Sequence, residues 1–219
     1  SWTDFLLLNA PLALHVDRSI TPIWYAVGIA GNLISARIWM TRRIRQNNSS
    51  AVYLATLSIT DMLLLVLHIL QELRYAWGIK TLAFPFVCET YFVFYLSAQY
   101  LSPFLVLGFT VERYIAVCHP FKKEEFCTTS RATRVVVGLV LISISLCFIQ
   151  AYFWRYDSAV GDCIVRSTTH DDQDGSLWSI WTWSTEMLVF MAIPLVILLF
   201  NIMVIREVRK MSNFESAMT

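Results

Sequence analysis

Three kinds of residue in this chain can do more than pack: ionisable groups inside apolar stretches, a thiol at the edge of one stretch, and a charged triplet at its end. Cys88 opens the long apolar stretch and Glu112-Arg113-Tyr114 closes it. Cys88 and Arg113 are 25 residues apart. A helix between them would be roughly 37 Å long, against roughly 30 Å of hydrocarbon in a bilayer. One helix would then hold a thiol at one membrane face and a charge pair at the other. Asp61 stands inside the preceding stretch, where an acid at the bilayer centre costs at least about 2.5–3.5 kcal/mol. It must face the protein interior and find a partner, a proton or a cation. His68 and Glu72 follow it close to the same helix face. Tyr95, Gln99, Ser102, Val106, Phe109 and Arg113 recur at helical spacing and form a facing stripe, polar at one end and charged at the other. Glu186, eight residues before Pro194, adds a second carboxylate at the level of Glu72. Left unpaired, the two would attract a cationic ligand group.

No catalytic arrangement accompanies these residues. There is no Gly-rich phosphate loop, His-x-x-x-His pair or Gly-x-Ser-x-Gly elbow, and His15, His68, His119 and His170 are scattered. The chemistry available is binding and charge rearrangement.

The elements that must position these groups are membrane helices. The chain is 57% apolar and 15% charged, against about 45–50% and about 25% in ordinary globular domains. Apolar stretches run over 21–41, 51–73, 84–111, 133–154 and 178–205, each close to or above the roughly 20 residues a spanning helix needs. Helices are required there because lipid offers the backbone no hydrogen-bond partner. The fold class is therefore all-α, a transmembrane bundle, with residues 1–219 forming one membrane domain. Twelve lysines and arginines, from Arg37 to Arg45, Arg113 to Arg134 and Arg206 to Lys210, fall on one side, and Arg18, Arg74, Lys80, Arg155 and Arg166 on the other. By the positive-inside rule the N-terminus is extracellular and the C-terminus cytosolic. That topology explains the basic clusters without a nucleic-acid partner. It places the Asn47-Asn48-Ser49-Ser50 sequons in the cytosol, where glycosylation does not occur. It also leaves Cys88 and Cys163 as the outside pair able to form a disulfide. Cys118 and Cys127 fall in a cytosolic loop and lack the further ligands of a zinc site. The outer loop after Arg155 is acidic, with Asp157, Asp162, Asp171, Asp172 and Asp174.

In order and spacing these residues resemble the rhodopsin-like family of G-protein-coupled receptors. Gly31-Asn32, Leu57-Ser58-Ile59-Thr60-Asp61, Cys88, Glu112-Arg113-Tyr114, Ile115 to Phe121, Cys163 and Pro194 match its motifs along nearly the whole chain. The resemblance implies a sodium ion at Asp61 and Ser102 and a switch at Glu112, Arg113 and Tyr114 that couples to a heterotrimeric G protein, with Phe121 docking beside it. It implies a ligand pocket near Tyr95, Gln99, Glu72 and Glu186, and no other cofactor. The family has seven helices and the sequence supplies five, which reads as an incomplete receptor in the plasma membrane. Leu141 stands where the fourth helix usually has tryptophan, Ile202 where the fifth has tyrosine, and Pro103 where an aliphatic switch residue is usual. Tyr95 replaces the aspartate of amine receptors, and Tyr91 the counterion of visual pigments. Glu112 to Arg131 looks most like invertebrate neuropeptide receptors, including FMRFamide-type ones. The expected ligand is an extracellular peptide, basic or amidated. The other readings are a receptor for a non-peptide small molecule and a truncated, non-signalling product that pairs with a full-length receptor.

Overall fold

The computed structural model describes residues 2–46, 48–166 and 177–218. Asn47, Asp171, Asp172 and Asp174 lie outside the described residues. A short helix α1 (Trp2–Asn9) leads into the long α2 (Pro11–Met40), and α3 (Arg42–Arg45) turns the chain into α4 (Ser49–Tyr75). The central α5 (Val87–Cys118) is followed by α6 (Pro120–Phe126), α7 (Thr129–Cys147) and the single turn α8 (Gln150–Phe153). A hairpin of β1 (Trp154–Asp157) and β2 (Asp162–Val165) follows. The last rod is α9 (Leu177–Met187), a π-helical segment (Leu188–Ala192) and α10 (Ile193–Met218).

Among the described residues, four segments are long and apolar enough to cross a membrane: Ser49–Tyr75, Val87–Cys118, Thr129–Phe153 and Ser179–Asn213. The first expected span, 21–41, falls almost wholly within α2, whose 30 residues exceed the length needed. Its apolar run is diluted by Thr21, Asn32 and Ser35. Many large side chains on the helix surfaces face outward, Ile34, Leu141 and Leu199 each being at least 60% exposed. That pattern suits an apolar solvent, because lipid removes the drive to hide such groups.

α5 is the axis of the bundle. It packs against α4, α7, α8, β1 and α10, while α2 packs on the far side of α4. Tyr53 of α4, Leu101 and Leu105 of α5, and Ala132 and Val136 of α7 form one buried cluster. Tyr100, Cys147 and Val189 form another between α5, α7 and the π segment. The α4–α5–α7 approach is close because Gly108 has no side chain. A Cβ there would lie 2.8 Å from Cε1 of Tyr53 and 3.6 Å from Cδ1 of Leu139. The π segment has a local cause. Pro194 has no N–H to give the carbonyl four residues earlier, and its ring crowds that position, so the helix widens just before it. Thr128 caps α7 by accepting the Arg131 N–H at 3.3 Å.

The hairpin is the departure from an all-helical fold. β1 and β2 are antiparallel, with Tyr156 opposite Cys163 and Asp157 opposite Asp162. Asp157 shapes the turn: its carboxylate accepts from the Ala159 N–H and its carbonyl from the Gly161 N–H, both at 2.8 Å. Gly161 takes φ 63°, which favours glycine. Two four-residue strands are too short for alternation to declare them in the sequence.

Two predictions follow from this packing. Gly108→Val wedges α5 away from Tyr53 and destabilises the bundle by about 1–3 kcal/mol. Gly138→Ala, which meets nothing within 4 Å, is neutral or stabilising by up to about 1 kcal/mol. Thermal unfolding of the two variants in detergent checks the contrast, and equal melting temperatures would contradict the close approach.

Candidate functional site

The polar groups lie at three levels along α5. At the outer level, a disulfide joins Cys88 to Cys163, with Cα atoms 5.5 Å apart and 75 residues between them in sequence. Other contacts hold the same hairpin. Arg74 at the end of α4 donates to the Cys163 carbonyl and pairs with Asp162 at 3.2 Å. Glu89 accepts from the Tyr156 N–H at 3.2 Å. Trp154 stacks on Phe92 with ring centroids 3.7 Å apart, and Lys80 reaches the Gly161 carbonyl at 3.1 Å. The hairpin is therefore fixed to α4 and α5 by one covalent bond and several polar ones.

Below the hairpin, α2, α4 and α5 bring aromatic and acidic groups together. Tyr95 stacks on Tyr91 with centroids 5.8 Å apart and lies 6.0 Å from the His68 ring. Tyr25 of α2 shares a hydrogen bond of 2.7 Å with Nδ1 of His68, and Tyr91 donates to the Leu67 carbonyl at 2.6 Å. Glu72 lies beside Asp17 of α2, and its Oε1 is buried with no hydrogen-bond partner. Gln99 is half-buried on the same stretch of α5. Glu186 is exposed on α9 and has no contact with Glu72 among the described residues. The structure thus gathers Tyr95, His68 and Glu72 and leaves Glu186 apart. Asp17 escapes a sequence reading that starts the first span at residue 21. α2 runs ten residues further outward and carries Asp17 into line with Glu72.

At the middle level, the Ser102 hydroxyl donates to Asp61 Oδ1 at 2.7 Å, across from α5 to α4. Asp61 has no cationic side chain against it among the described residues. A carboxylate beside a hydroxyl is an oxygen-only donor set, which fits a hard monovalent cation. Asn32 does not reach this pair: its amide donates to the Gly28 carbonyl at 3.0 Å.

At the inner level, Glu112 is 7% exposed and its carboxylate takes the Ser49 hydroxyl of α4. Arg113 does not pair with it. The guanidinium is exposed and lies 5.1 Å from the Phe109 ring centroid. The expectation of a charge pair within the triplet is corrected here, for a geometric reason. Neighbours in a helix point about 100° apart and do not face each other. Tyr114 is the third direction, with its ring 5.1 Å from Phe200 of α10 and 5.6 Å from His119. The triplet therefore addresses α4, open space and α10 in turn. Phe121 on α6 is fully exposed. Cys127 sits against the Glu112 carbonyl at 3.7 Å. Burial, and then the Glu112 charge, push its thiol above the usual range. Ser49 was legible only as part of a polar turn, since nothing in the sequence couples it to a residue 63 positions away.

Residues 31–218 match the model of the seven-transmembrane receptor, rhodopsin family. The pyrokinin-1 receptor of Drosophila melanogaster is 30% identical over 161 residues, covering 71% of this chain and 37% of that protein. The FMRFamide receptor of the same organism is 31% identical over 159 residues, covering 68% of this chain and 28% of its own length. The thyrotropin-releasing hormone receptor of Gallus gallus is 29% identical over 142 residues, covering 61% and 34% respectively. The chain spans about a third of the length of these relatives, with 37%, 28% and 34% covered. With a helix bundle built around α5 and the family's residues in their order along it, the chain belongs to the rhodopsin family of seven-transmembrane receptors.

Proposed function

We propose that this chain forms the first five helices of a peptide-activated receptor that signals to a heterotrimeric G protein, with its N-terminus outside the cell. One observation carries the reading. A single helix, α5, runs from the disulfide-tethered hairpin at Cys88 to the exposed Arg113. A displacement imposed on its outer half is delivered to its inner end, because a helix buried among packed neighbours moves as a body.

The ligand class rests on charge and on relatives. Glu72 and Asp17 present carboxylates to the seam between α2 and α4, flanked by the Tyr95, Tyr91 and His68 rings. Such a surface suits a cationic or aromatic peptide end. The relatives named above carry the names of peptide receptors, which supports the same class. Tyr95, Gln99 and Glu72 line the proposed pocket, and Glu186 serves it from the α9 side.

In the proposed cycle the ligand favours one helix arrangement by binding it more tightly than the other. Arg113, already free of Glu112, is available to a G-protein element, with Phe121 beside it. Glu112 stays with Ser49 and holds α4 to α5. A sodium ion held by Asp61 and Ser102 would neutralise the half-buried carboxylate and favour the resting arrangement.

Arg113→Ala in the full-length receptor is expected to lower G-protein activation by about tenfold or more while surface peptide binding persists, a coupling within the usual allosteric range. Normal signalling by that variant would overturn the role. Raising sodium is expected to weaken agonist binding, and Asp61→Asn to abolish that sodium dependence. A sodium response that survives the substitution would remove the ion from this site. Screening cells that express the receptor against a peptide library tests the ligand class. Response to a lipid or small molecule and to no peptide would sink it.

A further inference from the structure

Pro103 stands in the interior of α5, yet the helix runs unbroken from Val87 to Cys118. Proline has no N–H, so the Gln99 carbonyl loses the donor that the residue four further on supplies in a helix. The ring also crowds that carbonyl and tips it away from the helix axis. Gln99 is half-buried in the bundle, where an acceptor without a partner is costly and is met by a hydroxyl or an ordered water. A hydroxyl stands within reach. A helical serine extends to the carbonyls three and four residues back, and the carbonyl three back from Ser102 is that of Gln99. Ser102 does not spend its proton there: it donates to Asp61 Oδ1 on α4 at 2.7 Å. The Ser58 hydroxyl, one turn before Asp61, is engaged with the Leu54 carbonyl at 2.9 Å and the Ser35 hydroxyl at 2.7 Å. The α4–α5 seam thus carries the Asp61 carboxylate, the Ser102 hydroxyl oxygen and, beside that hydroxyl, a main-chain carbonyl that the helix does not claim.

We propose that the Gln99 carbonyl, released by Pro103, is a third oxygen ligand of a sodium ion held at Asp61 and Ser102, and that Pro103 thereby sets the affinity of the site. The inference rests on the sodium reading given under the proposed function, and adds to it a main-chain donor. An aliphatic residue at 103 would carry an N–H, and the helix would take the carbonyl back. Main-chain carbonyls replace the hydration shell of a monovalent cation well, and one carboxylate supplies the matching charge. A water on the same carbonyl would satisfy it without telling sodium from potassium, which makes that comparison decisive.

The test is the melting temperature of the full-length receptor in detergent, titrated with sodium chloride against potassium chloride at constant ionic strength. An ion that binds the folded state raises it as the site fills. Sodium is expected to stabilise beyond potassium, and Asp61→Asn to abolish the difference. Pro103→Ala and Pro103→Leu both restore the N–H and differ in side-chain volume. Each should raise the half-saturating sodium concentration about tenfold, the worth of one contact to a charged group. Their melting temperatures in potassium report any change in the fold itself. No sodium effect in the natural sequence, or one that survives Asp61→Asn, would remove the ion from Asp61 and the proposal with it. A sodium effect that needs Asp61 but keeps its midpoint in both Pro103 variants would leave the ion in place and overturn the role of the Gln99 carbonyl. A shift in only one of the two variants would trace the effect to side-chain packing and overturn that role as well.

Discussion

In hydrocarbon no water can take a hydrogen bond from the backbone, so a chain that crosses must satisfy every peptide group internally. That constraint makes α5 helical from Val87 to Cys118, about 48 Å of rod at about 1.5 Å per residue. Everything else in the structure is placed relative to it. α4 and α7 approach it where Gly108 permits, α10 touches it through Phe200 and Tyr114, and the hairpin is bonded to its outer end. The same constraint explains the response to Pro194. The helix does not break there; it rearranges locally into a π segment and continues as α10.

Polar groups inside such a bundle cannot be left to solvent, and their partners show how the helices are registered. Asp61 meets Ser102, Glu112 meets Ser49, Tyr25 meets His68 and Tyr100 meets Thr185. Each of these bonds crosses between helices and so fixes one rod against another. A hydroxyl satisfies a buried carboxylate without bringing a second charge into lipid. Charge–charge pairing among the described residues sits at the wet ends, where Arg74 meets Asp162 and Lys210 meets Glu207. The interior is thereby held by modest hydrogen bonds between helices. Arg113 rests over Phe109, with no ion-pair partner among the described residues.

The stretches 51–73 and 84–111 overlap α4 and α5, because a run of apolar residues of spanning length has one available conformation in lipid. The Cys88–Cys163 disulfide was legible for a related reason: expected sidedness sorts cysteines before any folding is considered. Less legible was where helices extend beyond the apolar run. α2 begins at Pro11 and α7 at Thr129, since outside the hydrocarbon polar residues may be helical or not. The hairpin was missed because its stability comes from Arg74, Glu89, Phe92 and the disulfide, all on other elements. Glu186 is exposed on α9 while Glu72 lies beside Asp17 of α2, because depth along two helices says nothing about their rotation.

Composition, apolar periodicity and motif spacing therefore determined the family, the number of rods and the depth of Asp61, Cys88 and Arg113. Those properties are one-dimensional, set by the bilayer's thickness and by the fixed rise of a helix. Only the tertiary structure decided the azimuth of each rod and hence its partners: Ser49 for Glu112, Asp17 beside Glu72, open space for Arg113. Rotation of a helix about its axis costs little in lipid itself. It is settled by close packing at small residues such as Gly108 and by hydrogen bonds between helices, which exist only once the helices meet.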